Sequence, residues 1–211
     1  MQLIGMLDSP YVRRVAVSLN LMELRFEHHN LSVFRTFKHF AEINPVVKAP
    51  TLVCDDGEIL MDSSLILDYA EALAAPERRL MPPSLPERQH ALHRIGLALA
   101  ACEKAVQIIY ERQRPADRQH QPWLDRVAGQ LHAACQRLDD AVGRHPFAAP
   151  PARVDQAGVT TAVAWHFIQR MLPDVVQAEA FPALQAWSAR AEQMPAFQAA
   201  PHGEGLVLKH A

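Results

Sequence analysis

Leu3-Ile4-Gly5-Met6, then Ser9-Pro10-Tyr11-Val12, then Arg13-Arg14-Val15-Ala16-Val17-Ser18-Leu19 is the stretch that decides the fold. The apolar opening, residues 1–6, reads as a strand. Residues 10–22 carry helical spacing, so Ser9-Pro10 is the turn between them. Serine is a strong N-cap residue and proline suits the first helical position, whose N–H has no partner within the helix. A strand running through a short turn into a helix leaves main-chain N–H groups and the positive end of the helix dipole exposed at one point. Such a point favours a negative charge.

Working outward, residues 25–33 alternate apolar and polar and predict a half-buried strand. A short helix over 36–43 ends ahead of Asn44-Pro45, because the residue before proline avoids the helical region. Pro50-Thr51-Leu52-Val53-Cys54 and Glu58-Ile59-Leu60-Met61, joined by Asp55-Asp56-Gly57, predict a β-hairpin. A helix follows from Ser63. The order βαβ-α-ββα describes a small α/β layer that covers both faces of a four-stranded sheet. Residues 1–75 are assigned to this domain. The prolines of 76–86 mark a linker. From 87 to 211 nothing resembles a strand. Leu92, Ile95, Leu99, Cys102, Val106 and Ile109 recur at helical intervals, as do Val127, Leu131, Ala134, Leu138 and Val142. Further helices are expected over 155–172 and 182–193, so the second domain is all-helical. The fold class is α/β plus all-α.

Composition narrows the function. A chain of 211 residues with 49% hydrophobic and 21% charged residues is ordinary for a globular protein. A net charge of -2 offers no basic stripe for nucleic acid. The N-terminus lacks a basic and then apolar leader, and no apolar run approaches the ~20 residues that span a bilayer. Three cysteines, Cys54, Cys102 and Cys135, are odd in number and widely spaced, which fits a reducing cytoplasm. His28-His29 and His90-x-x-His93 lack a third ligand at suitable spacing, so no metal site is expected and both pairs read as solvated surface.

Three places could carry chemistry. Ser9 has no local base to make it a nucleophile, but it needs no activation to donate a hydrogen bond. A donor to a thiolate contributes ~1.5–3 kcal/mol, and a helix N-terminus adds ~0.3–1. Together they move a thiol from about 8.5 to about 6.5, where it is mostly ionised at neutral pH. Ser9 serves equally as a plain N-cap. The second place is Val47-Lys48-Ala49-Pro50. A cis bond before Pro50 would turn the Ala49 peptide outward for a ligand to pair with as an added strand; a trans proline opening an edge strand is the other reading. The third is Asp62-Ser63, a carboxylate for an ammonium beside a hydroxyl and helix N–H groups for a carboxylate, which suits an α-amino acid. The same pair can be two capping residues.

Ser9-Pro10-Tyr11-Val12 stands where a glutaredoxin-type enzyme carries Cys-Pro-Tyr-Cys, with both thiols gone. With Arg14-Val15, Asn44-Pro45, Lys48-Ala49-Pro50-Thr51-Leu52, Asp62-Ser63 and Phe181-Pro182-Ala183-Leu184-Gln185-Ala186-Trp187, nearly the whole length resembles the glutathione transferase family. The resemblance implies a thioredoxin-like domain that binds glutathione and a helical domain that shapes a pocket for a small hydrophobic electrophile. It also implies a cytoplasmic homodimer that serves detoxification. By position, Ser9 donates to the glutathione sulfur. Ala49, before cis Pro50, pairs with the cysteinyl unit, Asp62 and Ser63 hold the γ-glutamyl end, and Lys48 takes the glycine carboxylate. Tyr11, Tyr110, Arg112 and Trp165 are the candidates for the electrophile pocket. Glutathione is the co-substrate, with no metal. Peroxidase or isomerase chemistry at the same site, and a non-catalytic partner binder like the stringent-starvation proteins, share the fold.

Two departures from the family pattern stand out. Val47 occupies a position where the family often has glycine, so that loop is expected to differ. Asp155-Gln156-Ala157-Gly158 keeps a cap for its helix and loses the reciprocal partner.

Overall fold

A computed structural model describes residues 1–148 and 154–208. Four short strands, β1 (Gln2–Ile4), β2 (Glu27–His29), β3 (Thr51–Val53) and β4 (Ile59–Met61), form one sheet in the order β2-β1-β3-β4. β1 runs parallel to β2 and antiparallel to β3, and β3 is antiparallel to β4. The pairings Ile4↔Thr51 and Thr51↔Met61 bring the end of β1, the start of β3 and the end of β4 to the same edge of the sheet. Helices α1 (Pro10–Leu21), α2 (Phe37–Ile43) and α3 (Ser63–Leu73) complete a thioredoxin-like layer. The expected strand over 25–33 shortens to Glu27–His29, because β1 offers only three residues to pair with.

The core of this layer is Leu3, Ile4, Val15, Leu19, Phe40, Leu52 and Ile66, all without solvent exposure. Arg13 is buried with them. Its Nε donates to the Ala200 carbonyl at 2.8 Å, and its guanidinium lies 6.0 Å from the Phe197 ring centre. A buried guanidinium is tolerated only with such partners.

The remaining helices are α4 (Leu85–Arg112), α5 (Gln121–Arg144), α6 (Gln156–Met171), α7 (Pro182–Ala191) and α8 (Pro195–Gln198). Pro86, Pro122, Pro182 and Pro195 all lie in the first turn of a helix, where no N–H is missed. Pro86 and Pro195 therefore start helices instead of stopping them, and α4 begins inside the expected linker. The buried face of α4 also differs from the expected stripe. It is Ala91, Ile95, Ala98, Ala101, Cys102, Ala105 and Ile108, while Leu92 is exposed. Small residues let α5 and α6 close on α4, which outweighs burying its larger leucines. On α5 the expected stripe, Val127 to Val142, is buried throughout.

The chain separates into two compact units, Pro82–Glu192 and Met1–Met81 joined by the described residues from Gln193 onward. The sequence reading carried the helical domain to 211. Residues 193–208 instead pack with the first unit, where α8 meets α1, and 209–211 lie outside the described residues. Inside the helical unit, the Asp155 carboxylate caps α6 by accepting from Gly158 N–H at 2.7 Å, and the Trp187 indole donates to the Gly158 carbonyl at 2.9 Å. Among the described residues no helix is long and apolar enough to cross a membrane.

Candidate active site

The edge of the sheet where β1 ends and β3 begins gathers most of the residues singled out from the sequence. Ser9 is half-buried, with the extended backbone of an N-cap, and its Oγ accepts from Val12 N–H at 3.4 Å. That bond is long, so the cap is weak and the hydroxyl keeps its own hydrogen to donate. Gly5 lies between this turn and the third strand. A Cβ there would sit 2.6 Å from Val12 Cγ2 and 3.2 Å from the Ala49 Cβ. Its φ of +138° is likewise one that side-chain-bearing residues rarely adopt. Glycine therefore allows the start of α1 and Ala49 to come together.

The loop ahead of β3 is built around two buried polar side chains. Asn44 Nδ2 donates to Thr51 Oγ1 at 2.8 Å, and Thr51 Oγ1 donates to the Lys48 carbonyl at 2.7 Å. Asn44 Oδ1 accepts from Val46 N–H at 3.0 Å. The Ala49–Pro50 bond is cis, and no main-chain hydrogen bond among the described residues uses the Ala49 N–H or carbonyl. Val47 has φ +51°, a left-handed conformation that a β-branched side chain disfavours, so this residue bears backbone strain.

Asp62 is also in the positive-φ region, at +72°, and N-caps α3 by accepting from Ser64 N–H at 2.9 Å. Its other carboxylate oxygen is 4.0 Å from Lys48 Nζ, an exposed pair of little energetic weight that nonetheless marks the two residues as neighbours. Ser63 is buried at the first position of α3. Arg14, from α1, donates through one nitrogen to Ser63 Oγ at 3.0 Å and Ser64 Oγ at 3.2 Å. Register, the Gly5 contact, the Lys48–Asp62 approach and the Arg14 bonds thus link Ser9, Ala49 and Ser63 into one neighbourhood.

The model of the family described as glutathione S-transferase, N-terminal domain, matches residues 3–78, the segment that holds this neighbourhood. An uncharacterised GST-like protein of Escherichia coli K12, YibF, is 26% identical over 175 residues, 82% of this chain and 85% of that one. Residues 3–78 therefore carry the glutathione S-transferase N-terminal domain. The fold superposes on a glutathione S-transferase of Methylobacterium radiotolerans solved with glutathione sulfonate. The TM-score is 0.85 and the identity 24%, over 93% of this chain and 92% of that one. A glutathione transferase family member of Pseudomonas fluorescens Pf-5, solved with S-(propanoic acid)-glutathione, gives a TM-score of 0.78 at 26% identity, over 95% and 98% of the two chains.

The other candidates are scattered. Tyr11 is half-buried beside Ser9. In the helical unit Tyr110 is exposed near the end of α4. Arg112, a candidate for the electrophile pocket, is engaged by Asp174 through two bonds of 3.2 and 2.8 Å, which occupies its guanidinium. Trp165 is buried edge-on to Phe181, 5.6 Å between ring centres, and lines a groove of about 270 Å³ with His166, Gln169, Ser188 and Glu192. His28 is not the solvated side chain expected from sequence. Its Nε2 lies 2.7 Å from the Gly5 carbonyl, and its Nδ1 accepts from Val207 N–H at 3.2 Å. Loss of hydration holds its pKa below the usual histidine range. The residue to which the sequence reading gave no role, though Arg14-Val15 was part of the resemblance, is Arg14. The signal was a charged side chain among the apolar positions of α1, interpretable only once α3 was known to lie against it.

Proposed function

We propose that this chain binds glutathione at the β1–β3 edge and conjugates its thiolate to a small electrophile. The carrying observation is the convergence of three groups suited to one tripeptide. They are the Ser9 hydroxyl at a helix N-terminus, the Ala49 main chain beside Pro50, and the Asp62-Ser63 pair opening α3. Crystals of the Pseudomonas fluorescens family member with bound glutathione and with an S-substituted glutathione support the ligand class.

Each group has a distinct task in this reading. Ser9 donates to the sulfur and, with the dipole of α1, favours the thiolate over the thiol. The Ala49 N–H and carbonyl pair with the cysteinyl main chain as an added strand. Asp62 faces the γ-glutamyl ammonium, Ser63 its carboxylate, and Lys48 the glycine carboxylate. The thiolate then attacks the electrophile, forming the carbon–sulfur bond as the leaving group departs or the acceptor takes up a proton. Tyr11, next to Ser9, contacts the electrophile. A cytoplasmic homodimer engaged in detoxification is the setting we assign to it.

The test is ultraviolet absorbance of the bound thiolate against pH, in the wild type and in Ser9→Ala. Ser9→Ala should move the titration of bound glutathione up by one to two pH units, as expected for losing a bond of ~1.5–3 kcal/mol. Coincident curves would remove Ser9 from the mechanism. No heat on titrating wild type with glutathione would refute the binding itself, and binding without turnover of any electrophile would favour the partner-binding reading.

A further inference from the structure

We infer that Arg14 is a positioning residue for the carboxylate end of glutathione, acting through the hydroxyls of Ser63 and Ser64. The inference rests on the binding reading above and concerns how α3 receives the anion.

A guanidinium has donors and no acceptor. Where Arg14 Nη1 lies 3.0 Å from Ser63 Oγ and 3.2 Å from Ser64 Oγ, both hydroxyls must therefore accept, each using a lone pair. The hydrogen of each is left for a different acceptor. A serine hydroxyl on its own rotates and presents a lone pair or a hydrogen as the surroundings dictate. Beside Arg14 one lone pair of each oxygen is engaged, which biases the pair toward donating at the opening turn of α3. Asp62 completes the arrangement. Its Oδ1 takes the Ser64 N–H at 2.9 Å, so it fixes the main chain of the same turn while its second oxygen faces Lys48.

Arg14 and Ser63 are each 3% exposed, so the bond between them is shielded from water, while Ser64 lies at the surface. The bonds also cross from α1 to α3, the two helices that carry Ser9 and Ser63 at their starts. One side chain thereby ties the thiol end of the site to the carboxylate end. Binding of a ligand that touches both ends then needs less ordering than it would with a freely rotating pair of serines.

A purely structural tie between α1 and α3 would show in stability alone. The positioning role predicts coupling in affinity. Glutathione affinity is to be measured by calorimetry for wild type, Arg14→Met, Ser63→Ala and the double variant, with thermal midpoints alongside. Arg14→Met should weaken glutathione about tenfold, the size of one lost hydrogen bond to a charged group. In the Ser63→Ala background the same change should have a clearly smaller effect, because only the Ser64 hydroxyl is left for Arg14 to orient. Arg14→Lys, which keeps one donor and the charge, should recover part of the loss and serves if Arg14→Met fails to fold. Additive losses in the cycle, or an Arg14 variant with wild-type affinity and a lowered thermal midpoint only, would overturn the inference. Absence of glutathione binding by wild type would instead overturn the reading on which it rests.

Discussion

Two glycine-to-alanine changes in the helical unit should act in opposite directions, and the structure says why. Gly158 is in the first turn of α6, enclosed by Val154, Asp155 and Trp187. An added Cβ would lie 2.9 Å from Val154 Cγ1 and 3.0 Å from Trp187 Cζ2. The indole cannot withdraw freely. It has no exposure, packs 4.8 Å from Phe147 between ring centres, and donates to the Gly158 carbonyl itself. Overpacking of this kind costs about 1–3 kcal/mol, and a distorted buried hydrogen bond adds about 0.5–1.5. Alanine's better helix propensity returns about 1 kcal/mol, so Gly158→Ala should destabilise by about 1–3 kcal/mol. Gly129 is also helical, on the exposed face of α5, with nothing within 4 Å of where a Cβ would be. There only the propensity acts, and Gly129→Ala should stabilise by up to about 1 kcal/mol. Urea titrations of both variants against wild type, followed by circular dichroism and by tryptophan emission, measure the two differences. A Gly158→Ala protein at least as stable as wild type would show that Trp187 does not fill that space.

Val47→Gly should leave stability unchanged or raise it by about 1 kcal/mol, since relief of a strained φ worth about 1–3 kcal/mol exceeds glycine's entropic penalty of about 0.5–1; a loss above about 1 kcal/mol in the urea midpoint would deny the strain. His28 is held neutral in the folded chain, its pKa lowered from about 6.5, so its contribution is complete above about pH 6.5 and is lost as the pH falls below it. The stability difference between wild type and His28→Ala should therefore shrink between about pH 7.5 and 5.5, and a constant or widening gap would contradict the bond from Val207 to the ring.

Local signals carried much of the fold and of the site. Ser9-Pro10 marked the start of α1, Asp55-Asp56-Gly57 the hairpin, and Asp62-Ser63 the start of α3, because caps and turns act through main-chain atoms only a few residues away. The same short range explains what stayed hidden. The spacing of Leu92, Leu99 and Val106 is helical, yet α4 buries its alanines, since the face a helix turns inward depends on its neighbours. Gly158 looked like a weakened capping box. The structure shows a cap that is intact, with the side chain at that position excluded by Trp187, 29 residues further on. His28 meets Val207 across 179 residues and Arg14 meets Ser63 across 49, separations no local pattern records.

The return of residues 193–208 to the first unit has a consequence for biosynthesis. Arg13 reaches its Ala200 carbonyl, and Asn20 its Ala196 carbonyl at 3.3 Å, only after the helical unit that lies between them in sequence has been made. The thioredoxin-like layer is synthesised first, yet a nascent chain halted just past the helical unit would hold an ionised side chain in its interior with no acceptor from that segment. Its completion on the ribosome therefore waits for residues 193–208 to emerge, contrary to the usual order in which an N-terminal domain finishes ahead of the one behind it.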